Sequence, residues 1–163
     1  IGMELIKLAK PFFNNIISND PFLTREELDK KGVEKVELIE LAKRSDFVVI
    51  LCNLNENTVG LIDRKFFEKM KETSFIINMS RGPVIQEKDL MFALKNKLIM
   101  GAGLDVMTNE PVENDNPILE MKNTILTPHA LCWTDECFAD IANEAIDSIL
   151  NYKDNKKITN RVN

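Results

Sequence analysis

Histidine occurs once in this sequence, so any imidazole acid or base in the chain has to be His129. Cysteine is nearly as scarce. Cys52, Cys132 and Cys137 are odd in number and form no Cys-x-x-Cys pair, so the pattern suggests neither a zinc knuckle nor a disulfide framework. Unpaired thiols fit a reducing, cytoplasmic setting, and no metal centre is expected. Long apolar runs are missing as well. Phe47 to Cys52 and Leu98 to Leu104 are the longest, far short of the about 20 residues that cross a bilayer. No membrane span is therefore expected. Positive charge is in deficit: 21 Lys and Arg stand against 26 Asp and Glu, giving a net charge of -5 and no basic stripe to neutralise a row of phosphates. Nucleic acid is excluded as an expected partner. An initiator Met and a targeting segment are absent too, and the opening Ile1-Gly2 reads as an internal start within a longer protein.

What is present is an ordinary packed composition, 44% hydrophobic and 29% charged with 6 Gly and 6 Pro, which excludes disordered and fibrous classes. Leu5, Ile6, Leu8 and Ala9 recur at helical spacing until Pro11 stops them. Asn15 to Ser18 is a short β-branched run closed by Asn19-Asp20-Pro21, which places Asp20 at the carboxyl end of a strand. Thr24 followed by Glu27 is a capping-box signature for a helical turn ending at Gly32. Val33 to Val36 and an amphipathic stretch through Leu38, Ile39, Leu41 and Ala42 follow.

Phe47 to Cys52 is apolar throughout, as a strand buried on both faces of a parallel sheet must be. Ser74 to Met79, Ile99 to Val106 and Thr124 to Thr127 read as further strands, separated by helical patterns at Arg64 to Lys71 and Lys88 to Lys97. Thr134 to Tyr152 predicts a long amphipathic helix with Phe138, Ile141, Ala145 and Ile149 on one face, closing the domain. Parallel strands need crossover connections, so this alternation predicts an α/β fold, a doubly wound and mostly parallel sheet. Ligands in such folds sit beyond the carboxyl ends of the strands. Asp20, Asn53, Asn78, Ser80, Arg81, Asp105, Glu110 and His129 all fall at or just after such an end.

Asp20 follows Gly2 by 18 residues, close to the roughly 20-residue gap between a phosphate-binding glycine turn and the acid that holds an adenosine ribose. An Asp before Pro is also common in plain turns, so both readings stand on spacing alone. If Asp20 does bind ribose, its charge repels a 2′-phosphate and favours NAD over NADP. A carboxylate, an imidazole and a guanidinium at one rim form a coherent set. Glu110 would stabilise a protonated His129, and Arg81 would hold a planar carboxylate by two parallel hydrogen bonds.

The segments INMSRGPVI (77 to 85), GLDVMTNEP (103 to 111) and LTPHALCWT (126 to 134) resemble the cofactor-binding domain of the D-isomer-specific 2-hydroxyacid dehydrogenases. The resemblance continues through NLNENTVGLID (53 to 63) and DLMFALKNKLI (89 to 99), and covers nearly the whole chain in order. It implies a Rossmann-type sheet with residues 1–130 as the NAD-binding domain, 131–153 as a helix returning toward a substrate domain, and 154–163 as a polar tail. Arg81, Glu110 and His129 match the family's catalytic Arg, Glu and His. Gly2 matches the last glycine of the phosphate turn, Asp20 the ribose acid, and Asp105 the acid beside the nicotinamide amide. Backbone near Cys52, Asn53, Met79 and Ser80 would line the same cofactor. Cys52-Asn53-Leu54 replaces a Leu-Pro-Leu frequent in the family, and Trp133 stands where small residues are common, where it either shapes specificity or packs between domains.

The expected activity is hydride transfer between NAD(H) and a small 2-oxo/2-hydroxy acid pair in a homodimeric enzyme. The rival reading is an NAD-sensing, dimerising regulatory module, since fold alone does not settle function. The resemblance also implies a missing first Rossmann strand. Its absence should leave Asn15 to Ser18 and Phe47 to Cys52 without a shared neighbour, making the chain either poorly stable or driven to pair those strands directly, and in either case not catalytic by itself.

Overall fold

A computed structural model describes residues 1–158. The polar tail expected at 154–163 therefore lies partly outside the described residues. The chain divides into two units, Ile1–His129 and the remainder from Ala130 onward.

The first unit alternates helix and strand from its start. α1 (Gly2–Ala9) is followed by β1 (Ile17–Ser18), α2 (Arg25–Asp29), β2 (Glu34–Lys35) and α3 (Leu38–Arg44). β3 (Phe47–Ile50), α4 (Arg64–Phe67), β4 (Phe75–Asn78), α5 (Glu87–Lys95), β5 (Gly101–Leu104) and β6 (Thr124–Leu126) complete it. α2 starts where its capping box predicts: the Thr24 hydroxyl accepts from the Glu27 amide at 3.2 Å, and Glu27 Oε2 accepts from the Thr24 amide at 2.8 Å. α4 is shorter than the Arg64 to Lys71 pattern suggests. Beyond Phe67 the amides of Lys69 and Met70 turn to carbonyls three residues back, a tighter winding that carries Met70 into the core.

β3, β4, β5 and β6 form a parallel four-stranded sheet in chain order, with Phe47 opposite Phe75 and Phe75 opposite Gly101. β1 and β2 form a separate parallel pair. The direct pairing of Asn15 to Ser18 with Phe47 to Cys52 does not form, because those segments stay in different sheets. Among the described residues, no helix is long and apolar enough to cross a membrane.

Phe66, Phe67, Ile76, Leu90, Ile99 and Ile118 are each at most 2% exposed and pack into one cluster under the four-stranded sheet's helices. Burying side chains of this size contributes about 1.5–3 kcal/mol apiece, which fixes the strands whose carboxyl ends carry the polar residues.

In the second unit, α6 (Asp135–Lys153) is capped by Thr134, whose hydroxyl accepts from the Cys137 amide at 3.1 Å. Along α6, Phe138, Ile141, Ile146 and Ile149 are exposed.

Candidate active site at the carboxyl rim of the sheet

Each strand of the four-stranded sheet hands a polar loop to the same rim. Asn78 ends β4 and leads through Ser80 to Arg81; Leu104 ends β5 and leads through Asp105 to Glu110; Leu126 ends β6 and leads to His129. Parallel strands all finish on one side, so side chains far apart in sequence converge.

The rim is tied together by hydrogen bonds between loops. The Asp105 amide donates to the Asn78 carbonyl at 3.1 Å, and the Thr127 amide donates to the Leu104 carbonyl at 3.0 Å. Thr127 Oγ1 donates to Asp105 Oδ1 at 2.5 Å, and Asp105 is only 6% exposed. The Ser80 hydroxyl donates to the Cys52 carbonyl, which joins the loop after β3 to the loop after β4. Gly82 packs against the Met107 backbone so tightly that no side chain fits between them.

His129 adopts a left-handed backbone conformation, φ 55°, and its amide donates to the Thr127 carbonyl at 3.0 Å. A non-glycine residue in that region is strained, and here the turn brings its ring to Glu110. His129 Nδ1 and Glu110 Oε2 lie 2.7 Å apart. The other carboxylate oxygen of Glu110 accepts from the Met107 amide at 2.8 Å. Partial burial pushes the Glu110 carboxyl up. The hydrogen bonds from His129 and the Met107 amide, with the charges of His129 and Arg81, outweigh that effect and hold it below its ordinary value of 4.5. Glu110 is thus a carboxylate at neutral pH, able to stabilise imidazolium. With Nδ1 held by Glu110, the Nε2 edge of the ring is the one left to exchange a proton with a reacting oxygen.

Arg81 is exposed, and Nη1 donates to the Ser80 carbonyl at 2.6 Å. Its guanidinium makes no ion pair among the described residues, although its charge is felt at Glu110. It keeps donors for a planar carboxylate.

The residues expected at the cofactor also line strand ends. Asp20 stands just past β1, where Oδ1 accepts from the Phe22 amide at 2.8 Å and the Leu23 amide at 3.3 Å. That is the turn role that an Asp before Pro commonly plays. Gly2 opens α1 beside the Leu51 side chain, just beyond β3, and a methyl group there would meet Leu51 at 3.9 Å, an ordinary contact. Cys52 is half-buried, and burial pushes its thiol up, against smaller lowering effects of its own backbone and the Ser80 hydroxyl. Asn53 and Met79 are exposed, and Ser80 is buried. Helix amides at the start of α1, a carboxylate past β1 and backbone groups past β3 and β4 are donor and acceptor types that fit a dinucleotide. Among the described residues, no group of three or more His, Cys, Asp or Glu side chains could hold a metal ion.

Sequence reasoning placed Asn78 at the rim without a specific role and did not single out Thr127 or Gly82. Thr127 stands two positions before the only His, and Gly82 follows Arg81 directly, but neither position is informative until β4, β5 and β6 are known to be adjacent.

Comparison with known proteins places these features in a family context. Residues 1–130 match the family described as D-isomer specific 2-hydroxyacid dehydrogenase, NAD binding domain. The chain is similar to a glyoxylate reductase of Korarchaeum cryptofilum, 37% identical over all of this chain and 49% of that protein. It is also similar to the human glyoxylate reductase/hydroxypyruvate reductase, 40% identical over 79% of this chain and 40% of that protein. The fold matches a D-lactate dehydrogenase from Sporolactobacillus sp with a TM-score of 0.83 at 30% identity, covering 93% of this chain and 49% of that one. The chain spans about half the length of such relatives, or less.

Proposed function

The chain belongs to the D-isomer specific 2-hydroxyacid dehydrogenase family, with residues 1–130 as its NAD binding domain, and on that footing we propose that the full-length protein reduces a small 2-oxo acid to the D-2-hydroxy acid and runs the reverse reaction. The observation that carries the proposal is the 2.7 Å pairing of His129 Nδ1 with Glu110 Oε2, at a rim where the charge of Arg81 also acts.

His129 is the proton donor to the carbonyl oxygen as negative charge develops there, and the proton acceptor in the reverse direction. Glu110 holds the ring in orientation and stabilises its protonated form. Arg81 binds the substrate carboxylate in a bidentate manner and polarises the neighbouring carbonyl. NAD, when bound, supplies or accepts the hydride. Asp20 would hold the adenosine ribose hydroxyls, and the amides at the start of α1, beginning at Gly2, would bind the pyrophosphate. Cys52, Asn53, Met79 and Ser80 would present backbone to the cofactor, and Asp105, which accepts from Thr127 Oγ1, would receive the nicotinamide amide.

The same reading assigns residues 131–153 to a helix that covers its exposed apolar face with a substrate domain, and places the enzyme in the cytoplasm as a homodimer. The test is NADH oxidation by the full-length protein with glyoxylate, hydroxypyruvate or pyruvate. Turnover is expected with at least one of them, falling by a factor on the order of 10²–10⁴ in His129→Ala, with NADH affinity retained. A protein that binds NADH but reduces none of a panel of 2-oxo acids, or an undiminished His129→Ala, overturns the assignment and leaves the regulatory reading.

A further inference from the structure

Asn78, the last residue of β4, is 1% exposed. An amide buried to that depth needs partners at both ends. Nδ2 donates to the Arg81 carbonyl at 3.0 Å, and Oδ1 accepts from the Ser80 amide at 3.1 Å. These two groups flank a single peptide unit, the one joining Ser80 to Arg81. The carbonyl of that unit is the Ser80 oxygen that receives the Arg81 guanidinium at 2.6 Å. Asn78 itself is anchored by register with Ile50 on one side and Leu104 on the other, and its own carbonyl accepts from the Asp105 amide.

We infer that Asn78 is a positioning residue for Arg81: its buried amide grips the peptide groups on either side of the Ser80–Arg81 bond and so aims the guanidinium at the substrate carboxylate. The inference rests on the role proposed for Arg81. Arg81 is exposed on a loop, and its long side chain has no ion-pair partner among the described residues to steady it. The order it has comes from its backbone and from the Ser80 carbonyl, and both are set by Asn78. No other side chain substitutes easily. Aspartate lacks the donor, serine falls short of both partners, and glutamine is a methylene too long to keep both bonds. Displacements on the order of 1 Å at an orienting group can lower a rate on the order of 100-fold.

The experiment uses the full-length protein and oxalate, a planar dicarboxylate that accepts no hydride, as the probe. Asn78→Asp keeps an oxygen for the Ser80 amide and deletes the donor to the Arg81 carbonyl. The expected result is an oxalate Kd, measured with NADH bound, raised about tenfold or more, while the NADH Kd stays within about twofold. In an Arg81→Ala background the same substitution should change the oxalate Kd no further, because Asn78 acts through Arg81. Should Asn78→Asp fail to fold, Asn78→Ser is measured with the same readouts. An unchanged oxalate Kd in a variant that binds NADH, or an undiminished extra loss in the Arg81→Ala background, overturns the inference. Loss of NADH binding in both variants overturns it as well, since Asn78 then serves the fold at large. If Arg81→Ala itself leaves the oxalate Kd unchanged, the proposed role of Arg81 fails first and the inference with it.

Discussion

A methyl group on Gly82 would stand 2.0 Å from both the carbonyl carbon and the carbonyl oxygen of Met107. Backbone, not a flexible side chain, fills the space, so rotamer changes cannot relieve the clash. The contact joins the loop that carries Arg81 to the loop that carries Glu110, and the Met107 amide itself donates to Glu110. Gly82→Ala should destabilise the protein by about 3 kcal/mol or more, lowering the melting temperature by roughly 6–12 °C for a chain of this size. Urea titration checks this, and a loss under about 1 kcal/mol would show that the two loops part without consequence.

Glu110 yields a pH expectation with a definite sign. Its carboxyl is held below its ordinary value of 4.5 because the His129 and Met107 hydrogen bonds and the nearby positive charges outweigh the opposing effect of burial. A lowered folded-state value means that the carboxylate's contribution is complete above the ordinary value and is lost as pH falls through the lower one. In the direction of 2-oxo acid reduction, kcat/KM should therefore show no carboxylate limb between about pH 7 and pH 5. Arg81→Ala removes one of the lowering charges, so the Glu110 titration followed by carboxyl NMR should move upward. A downward movement would contradict the arrangement.

Thr127 tests the cofactor side of the rim. Its hydroxyl reaches Asp105 at 2.5 Å, and Asp105 is almost fully buried. Thr127→Val keeps the shape and deletes the donor. A buried hydrogen bond contributes a net of about 0.5–1.5 kcal/mol, so NADH affinity or stability should fall by an amount in that range. Calorimetric NADH binding and thermal unfolding measured together would detect it, and wild-type values in both would exclude the role.

Asp20 separates charge from turn geometry. Asparagine retains the oxygen that accepts from the Phe22 and Leu23 amides but loses the charge that, in the proposed ribose role, would repel a 2′-phosphate. Asp20→Asn should shift the ratio of NADPH to NADH efficiency upward by about tenfold, on the order of 1.4 kcal/mol, without altering the unfolding midpoint. An unchanged ratio would confine Asp20 to its turn.

Much of the fold was legible because its signals are local. The Thr24–Glu27 capping box, the apolar run at Phe47 to Cys52 and the helical pattern at Lys88 to Lys97 each appear within a residue or two of the elements they predict, because each depends on contacts only a few residues apart in the chain. Boundaries drifted where packing took over. α4 stops at Phe67 because Met70 is drawn into the core, and α5 ends at Lys95 as Lys97 turns to φ 56°. The apolar face of α6 was legible as a pattern, because periodicity states which residues share a face and is silent on what covers it.

By itself, the sequence determined the alternation of strand and helix and the placement of Arg81, Glu110 and His129 just beyond strand ends, because side-chain period and turn chemistry act over short separations. Only the tertiary structure decided that Glu110 meets the Nδ1 edge of His129, that Gly82 lies against Met107, and that Asn78 grips the Ser80–Arg81 peptide. The His129–Glu110 and Gly82–Met107 contacts join loops from different strands, set by sheet register and by close packing across the rim. The Asn78 grip is local in sequence, yet it depends on the buried end of β4 holding the amide in place, and no local pattern encodes that.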